Sequence, residues 1–313
     1  MVGAAYHAGA LTALENDLGW DPRDADIIVG TSAGSMVGAL LRLGVAASDL
    51  AAHTVGAVHA ATHPLVTEGF IPSREVPPPP VTGWGRWPRP AGFALWSRWL
   101  TRPWSVGPMG AMAAMVPDGV VPLAPYLGYL DSFTRGSWPR KALWLPTVSR
   151  RTLRRVVFGR NDLLAPLSAA VAASCAIPGY MAPVRIGRDR YVDGGVHSPT
   201  NADVLRREQL DLAIVLSPMS AERVSGFGTE AAFRRYADHL LRAEVRKLQG
   251  AGTRVVVLAP GRGTLRYMGA DFMSDEHLVE IVRESFLDTG RQLLRPRSRD
   301  VFTPLSRQLR LAA

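Results

Sequence analysis

The chain has 313 residues, of which 47% are hydrophobic and 20% are charged, so its composition is that of a globular protein and excludes a disordered chain. The net charge is +9 and comes almost wholly from arginine, because Lys141 and Lys247 are the only lysines. This charge favours anionic partners, but the arginines are scattered and the chain carries no nucleic-acid-binding motif, so nucleic acid is not an expected partner. The single cysteine, Cys175, excludes an internal disulfide and cysteine-rich zinc sites.

The chain shows no signal for export or for a membrane span. The N-terminal residues "MVGAAYHAGAL" lack the positively charged region of a secretory signal. One uncharged run, residues 163–184, is long enough to cross a bilayer, but Pro166, Pro178 and Pro183 interrupt it. We interpret this run as a short buried helix followed by a proline-bounded loop, and we expect a cytoplasmic protein.

Helical and strand patterns alternate along the chain. Apolar periodicity predicts helices over residues 4–17, 32–45, 47–61, 229–249 and 274–294. Strand patterns occur at residues 26–30, as a pair in "LWLPTVSRRTLRRVVFGR", before a sharp turn in "DRYVDGGV", and in "LDLAIVLSP" and "TRVVVLAP". Continuously apolar strands are typical of parallel sheets with both faces covered. The patterns therefore predict an α/β fold with a mostly parallel sheet covered by helices.

Residues 64–122 interrupt this alternation. Proline and glycine are dense there, and five of the eight tryptophans fall in the segment 84–104, which begins at Trp84 and ends at Trp104. Tryptophan favours the membrane interface and arginine is attracted to anionic head groups, so this segment is a candidate lid that contacts an anionic membrane peripherally. The alternative is a surface segment whose tryptophans pack inward against the core.

The stretch "DIIVGTSAGSMVGALL", residues 26–41, places Ser32 between a predicted strand and a predicted helix. A serine on such a turn can be a nucleophile when its neighbours are small, and Gly30 and Gly34 meet that condition. The helix dipole and the N–H of Ala33 would then stabilise an oxyanion. A GxSxG match alone is weak, and Ser32 as a helix N-cap is the alternative.

Asp193, in "DRYVDGGVHSPTNADVL", is the candidate partner of Ser32. A strand would fix this aspartate, and Gly194 and Gly195 would let another backbone approach it, although Asp-Gly is also a hairpin signal. An aspartate near its reference pKa of about 4 is a weak base, so the hypothesis requires burial to raise that pKa. His197 would have to fold back to reach Ser32, and it is a less favoured base.

Three stretches together resemble the patatin-like phospholipase family. They are "GTSAG" at 30–34, "ASCAIPGYMAPV" at 173–184 and "DGGVHSPTNADVL" at 193–205, which match the family motifs GxSxG, ASxAxPxxFxPV and DG[GA]. The resemblance implies a three-layer α/β architecture and a Ser-Asp dyad without histidine, formed by Ser32 and Asp193. It covers residues 1–205, outside the insertion at 64–122, and residues 206–313 would complete the same domain.

The sequence departs from the family at its first residues. The family has a glycine-rich loop, GxGxxG, whose N–H groups form the oxyanion hole, and here only its last glycine, Gly3, is matched. With Gly3 and Ala33 as the remaining donors the oxyanion hole would be partial. Because losing one donor typically slows an enzyme about 100- to 1000-fold, we expect the natural chain to start upstream of Met1.

Other titratable or nucleophilic side chains have simpler interpretations. His7 is expected to pack between helices, His277 to be a packed or solvated residue, and Cys175 to serve as a small buried hydrophobe. The chain shows no metal-binding constellation, and the proposed chemistry needs no cofactor. We therefore predict a lipid acyl hydrolase acting through an acyl-enzyme. The alternatives are a non-catalytic lipid-binding protein and an acyltransferase.

Overall fold

The computed structural model describes residues 1–58, 62–68, 118–161, 163–296, 298 and 300–302. The α-helices in this part of the chain are α1 Val2–Leu18, α2 Ala33–Arg42, α3 Ala47–Thr54, α4 Pro64–Glu68, α5 Tyr129–Thr134, α6 Leu167–Ser174, α7 Thr229–Gln249, α8 Arg262–Met268 and α9 Leu278–Leu293. The strands are β1 Ile27–Val29, β2 Ala142–Ser149, β3 Arg155–Phe158, β4 Val184–Ile186, β5 Asp189–Asp193, β6 Leu212–Leu216 and β7 Arg254–Leu258. Short 3-10 helices lie at Pro22–Asp24, Ala124–Leu127, Gly194–Val196 and Ala202–Arg207.

The chain forms two compact units, each built from segments that are distant in sequence. The first unit contains Met1–Asp26, Leu40–Phe70 and Ala202–Ala313. The second contains Ile27–Ala39 and Ile71–Asn201. The stretches around Ser32 and Asp193 both belong to the second unit.

The first unit is mostly helical. Its strands β6 and β7 pair in parallel, from Leu212 opposite Arg254 to Leu216 opposite Leu258. Helix α7 covers this pair through a buried apolar cluster that includes Leu241 and Leu248. Helices α1 and α9 lie against each other, and their approach depends on Gly9: a Cβ at this position would lie 2.1 Å from the Val282 carbonyl oxygen.

The second unit contains a mixed sheet with the strand order β1-β2-β5-β4, and β3 pairs with β2. Strand β1 is parallel to β2, whereas the pairs β2–β3, β2–β5 and β4–β5 are antiparallel. Helix α2 packs closely on this sheet at Gly38, where an added Cβ would lie 2.8 Å from the Ile28 Cγ2 atom. Helix α6 contacts β2, β4 and β5.

The predicted α/β class is confirmed, and so are the main elements, but the sheet is mixed rather than mostly parallel in the described residues. The helices predicted over 4–17, 229–249 and 274–294 correspond to α1, α7 and α9. The uncharged run 163–184 holds the short helix α6 and then a loop, as interpreted. The strand ALWLPTVS is buried at seven of its eight positions although most of its pairing is antiparallel, so continuous burial does not identify a parallel strand here.

Most of the proline- and tryptophan-rich insertion, including the segment 84–104, lies outside the described residues. Within residues 64–122, the structure describes α4 and the stretch from residue 118 onward. None of the helices in the described part of the chain combines the length and the apolar composition that crossing a bilayer requires. The division into residues 1–205 and 206–313 stays a prediction.

Candidate active site

Ser32 lies on a strained turn between β1 and α2. Its φ angle is 53°, in the left-handed region that costs a residue with a Cβ about 1 to 3 kcal/mol. Gly30 makes this turn possible, because a Cβ there would lie only 2.3 Å from the Gly34 carbonyl oxygen. The turn is closed by a 2.9 Å hydrogen bond from the Gly34 N–H to the Thr31 carbonyl. The predicted strand, serine and helix are therefore arranged as a nucleophile elbow requires.

Asp193 is the last residue of β5 and is only 5% exposed. The chain continues from it into the 3-10 helix Gly194–Val196, so Asp193 does not start a hairpin. Gly194 permits a close approach, since a Cβ there would lie 2.4 Å from the Pro146 carbonyl oxygen of β2. The Gly195 N–H donates a 2.7 Å hydrogen bond to the Asp193 carboxylate. Both glycines thus serve the aspartate, as expected from the sequence.

The side chain of Ser32 lies close enough to Asp193 to influence the pKa of its carboxyl. Burial raises the pKa of the Asp193 carboxyl from 3.8 to about 6, while the hydrogen bond from the Gly195 N–H and the nearby Ser32 hydroxyl lower it. The elevated pKa is what the sequence hypothesis requires of a base for a serine. Near neutral pH the Asp193 carboxylate is therefore ionised, and its pKa is only about one unit below the pH, so it can accept a proton readily.

The end of α6 holds both residues in place. The Ser32 N–H donates to the Ser174 hydroxyl at 3.2 Å, and Ser174 in turn donates to the Pro146 carbonyl at 2.8 Å. The Cys175 thiol lies 3.2 Å from the Ser32 carbonyl oxygen, to which it donates. The Asp193 N–H donates to the Ala176 carbonyl at 2.9 Å. Three consecutive residues of the second motif therefore hold the backbones of both Ser32 and Asp193.

Asn201 joins the elbow to the aspartate turn and was not identified from the sequence. It is fully buried and has a φ of 50°. Its amide nitrogen donates to the Thr31 hydroxyl at 3.1 Å and to the Gly194 carbonyl at 3.2 Å, and its amide oxygen accepts from Arg155 at 3.1 Å. In the sequence Asn201 stands in "SPTN" and is typical only of a turn. Its amide nitrogen also donates to the nearby Ser198 carbonyl, but its other partners are 7 to 170 residues away.

Cys175 is a small, half-buried side chain that also holds the backbone of Ser32 in this arrangement. Its sulfur also lies 3.4 Å from the Ser35 hydroxyl. Burial raises the pKa of the Cys175 thiol to about 12, so it stays protonated and can donate to Ser32. The sequence expectation that Cys175 is no nucleophile agrees with this pKa.

The remaining candidate residues occupy different places. Ala33 is the first residue of α2, where N–H groups have no acceptor within the helix and can serve a ligand. Gly3 lies in the first turn of α1, in the first unit, and its role as an oxyanion donor stays a prediction.

The histidines agree with their simpler interpretations. The ring of His7 contacts Tyr6 edge-on, with ring centroids 5.9 Å apart, and burial lowers the pKa of His7 to about 4. His197 is exposed. His277 precedes the first residue of α9 without a capping hydrogen bond from its side chain, and its ring lies edge-on to Tyr267.

The fold and the elbow define an α/β protein in which a serine on a strained turn lies near a buried carboxyl. The family model described as Patatin-like phospholipase matches residues 1–206, about two thirds of the chain. The chain therefore belongs to the patatin-like phospholipase family. Proteins of this family are hydrolases, and membership supports lipid acyl hydrolase activity in general, with a lipid or ester as substrate. A comparison with curated proteins finds no match.

Proposed function

We propose that the chain is a serine-dependent lipid acyl hydrolase in which Ser32 is the nucleophile and Asp193 the general base. The observation that carries this proposal is the strained turn at Ser32 together with the buried Asp193, whose carboxyl has a raised pKa and is close enough to the Ser32 hydroxyl for that hydroxyl to influence it. A nucleophile within hydrogen-bond reach of a base of suitable pKa is the arrangement that covalent catalysis requires.

In the first half-reaction the Ser32 Oγ attacks the ester carbonyl carbon and its proton passes to Asp193. The tetrahedral oxyanion accepts a hydrogen bond from the Ala33 N–H at the start of α2. The C–O bond to the alcohol then breaks, and Asp193 returns the proton to the leaving oxygen. This leaves an acyl group on Ser32.

In the second half-reaction a water molecule gives a proton to Asp193 and attacks the acyl carbonyl. The bond to Ser32 breaks, the proton returns to the Ser32 Oγ, and the carboxylic acid leaves. Asp193 is thus unprotonated at the start of each half-reaction and protonated in the middle of it. The chemistry needs no redox partner and no additional cofactor.

The experiment is active-site labelling with a water-soluble fluorophosphonate, together with hydrolysis of p-nitrophenyl esters of increasing chain length. Ser32→Ala should abolish labelling and hydrolysis, and Asp193→Asn should slow both about 100- to 10,000-fold, the usual contribution of a general base. Ser132→Ala and Asp211→Asn are matched controls at exposed positions, and both should react like the wild type.

Two outcomes would contradict the proposal. If Ser32→Ala is still labelled at the wild-type rate, another residue is the nucleophile. If the wild type binds lipid vesicles but is not labelled, the chain is the non-catalytic lipid-binding protein. Product analysis in the presence of an alcohol acceptor separates hydrolysis from acyl transfer.

A further inference from the structure

Two hairpin turns meet at one end of the sheet in the second unit. Strand β5 is antiparallel to both β2 and β4, so Ser149 pairs with Tyr191 while Ile186 pairs with Asp189. The turn after β2, residues 150–154, therefore lies beside the turn between β4 and β5. A 2.7 Å hydrogen bond from the Arg150 N–H to the Arg190 carbonyl joins the two hairpins.

This end of the sheet is strongly basic. We call it the arginine edge, and it consists of Arg150, Arg151, Arg154, Arg185, Arg188 and Arg190. Two carboxylates pair with it: Asp118 lies 2.8 Å from Arg150 and 3.7 Å from Arg190, and Asp189 lies 3.7 Å from Arg151. Among the described residues, six guanidinium groups and these two carboxylates leave an excess of four positive charges.

The register of the sheet places like charges opposite each other. Arg185 on β4 is the direct partner of Arg190 on β5, and both side chains are exposed. Side chains directly opposite in an antiparallel pair share a face, and like charges there destabilise the sheet. An anion bound between the two guanidinium groups would remove this repulsion, and a phosphate can accept paired hydrogen bonds from each group.

We propose that the arginine edge binds the surface of an anionic lipid bilayer. A lipid surface fits better than a nucleic acid because the chain belongs to a family that acts on lipids. The edge lies at the start of β5 and Asp193 at its end, about 13 Å away at the usual rise of a strand, so docking would leave Ser32 and Asp193 free. None of the residues of the arginine edge belongs to the segment 84–104.

The experiment compares two double variants of the full chain that carry the same net charge. Arg154→Gln/Arg188→Gln removes one exposed arginine from each turn of the edge. Arg246→Gln/Arg283→Gln removes two exposed arginines from helices of the first unit and serves as the control. Partitioning is measured by sedimentation with vesicles of phosphatidylcholine alone and of an equal mixture of phosphatidylcholine and phosphatidylglycerol, at two salt concentrations.

The wild type and the control should bind the mixed vesicles, and the edge variant should bind them about 30-fold less tightly, since two arginines at an anionic surface contribute about that factor. Binding should weaken at the higher salt concentration, and phosphatidylcholine alone should bind little. Equal partitioning of the two double variants would overturn the proposal. A duplex DNA that the edge binds in preference to the vesicles would overturn it as well.

Fluorophosphonate labelling of Ser32 keeps this inference separate from the proposed function. Both double variants should be labelled at the wild-type rate, because the altered arginines lie outside the hydrogen bonds of Ser32 and Asp193. Loss of vesicle binding with full labelling supports the docking surface. A chain that binds vesicles through the edge but is never labelled refutes the proposed hydrolysis and leaves the docking surface intact.

Discussion

Replacing Asp193 by asparagine should remove the proposed activity and at the same time make the protein more stable at neutral pH. The side chain keeps its size, and the amide oxygen can still accept the hydrogen bond that the Gly195 N–H now donates. The substitution removes the negative charge that Asp193 carries when it is ionised, and Asp193 is only 5% exposed. Burial of that charge is the largest cause of the raised pKa of Asp193.

The size of the effect follows from proton linkage. In the folded state the pKa of Asp193 is about 6, whereas the pKa of an unperturbed aspartate is 3.8. Between these two values only the folded state binds the proton, so wild-type stability falls as the pH rises and stays low above pH 6. The interval corresponds to about 3 kcal/mol, at about 1.4 kcal/mol for each pH unit. Asparagine does not titrate, so the stability of the Asp193→Asn variant does not fall in this way as the pH rises.

Urea unfolding at pH 5, 6, 7 and 8 measures the difference between the wild type and Asp193→Asn. We expect the advantage of the variant to grow by about 1 to 2 kcal/mol from pH 5 to pH 7 and then to stay constant. Other titrating groups cancel in this difference, and the exposed Asp211→Asn should show no trend of this kind. A wild type and variant that differ by the same amount at every pH would refute the raised pKa.

Three further outcomes follow from the contacts around the two residues. Fluorophosphonate labelling of the wild type should rise about tenfold for each pH unit below 6 and level off above it, because Asp193 must be ionised to take the serine proton; labelling that is flat from pH 5 to pH 8 would exclude Asp193 as the base. Gly194→Ala forces a Cβ to within 2.4 Å of a carbonyl oxygen and should lower both the unfolding free energy and the labelling rate, whereas the Cβ of Gly128→Ala has 3.7 Å of space and should change neither. Asn201→Asp keeps the size of the side chain but replaces a donor by an acceptor, which should cost about 1 to 3 kcal/mol for each carbonyl left without a donor; a folded variant labelled at the wild-type rate would show that Asn201 does not position the site.

The sequence was sufficient to predict the turns that carry Ser32 and Asp193, because their local patterns are governed by short-range sterics. The turn needs a glycine two residues before the serine, because a Cβ at Gly30 would lie 2.3 Å from the Gly34 carbonyl oxygen, and this requirement can be recognised in the five residues 30–34. The same is true of Gly194, whose missing side chain lets β2 approach. Short-range steric requirements of this kind can be recognised in the sequence from periodicity and turn rules.

The antiparallel pairing of the sheet could not be inferred in this way. Strand β2 is apolar along its length because both of its faces are covered, and that is also how a parallel strand reads. Its partner β5 lies more than forty residues further along the chain, and the local sequence of neither strand indicates whether the two strands run parallel or antiparallel. The direction is set by the whole second unit rather than by either strand.

Asn201 and the residues at the end of α6 were missed for a related reason. Ser174 and Cys175 read as small buried residues of a helix, and each is in fact small and largely shielded from water. Their polar atoms act on backbone atoms of Ser32, and backbone atoms are the same in every residue. The sequence therefore shows the side chain that takes part in each contact, but it does not show which backbone atom that side chain binds.

The hydrogen bonds from these residues explain how two unfavourable features persist next to each other. Ser32 has a backbone conformation that costs free energy, and Asp193 is a buried carboxyl whose charge is poorly solvated. Ser174 and Cys175 bind the N–H and the carbonyl of Ser32, while Asn201 links the residue before Ser32 to the residue after Asp193. Relaxing either feature alone would break hydrogen bonds to groups that are buried. The raised pKa of Asp193 and the presentation of the Ser32 hydroxyl are thus maintained by the same small network, and a substitution in that network should change both together.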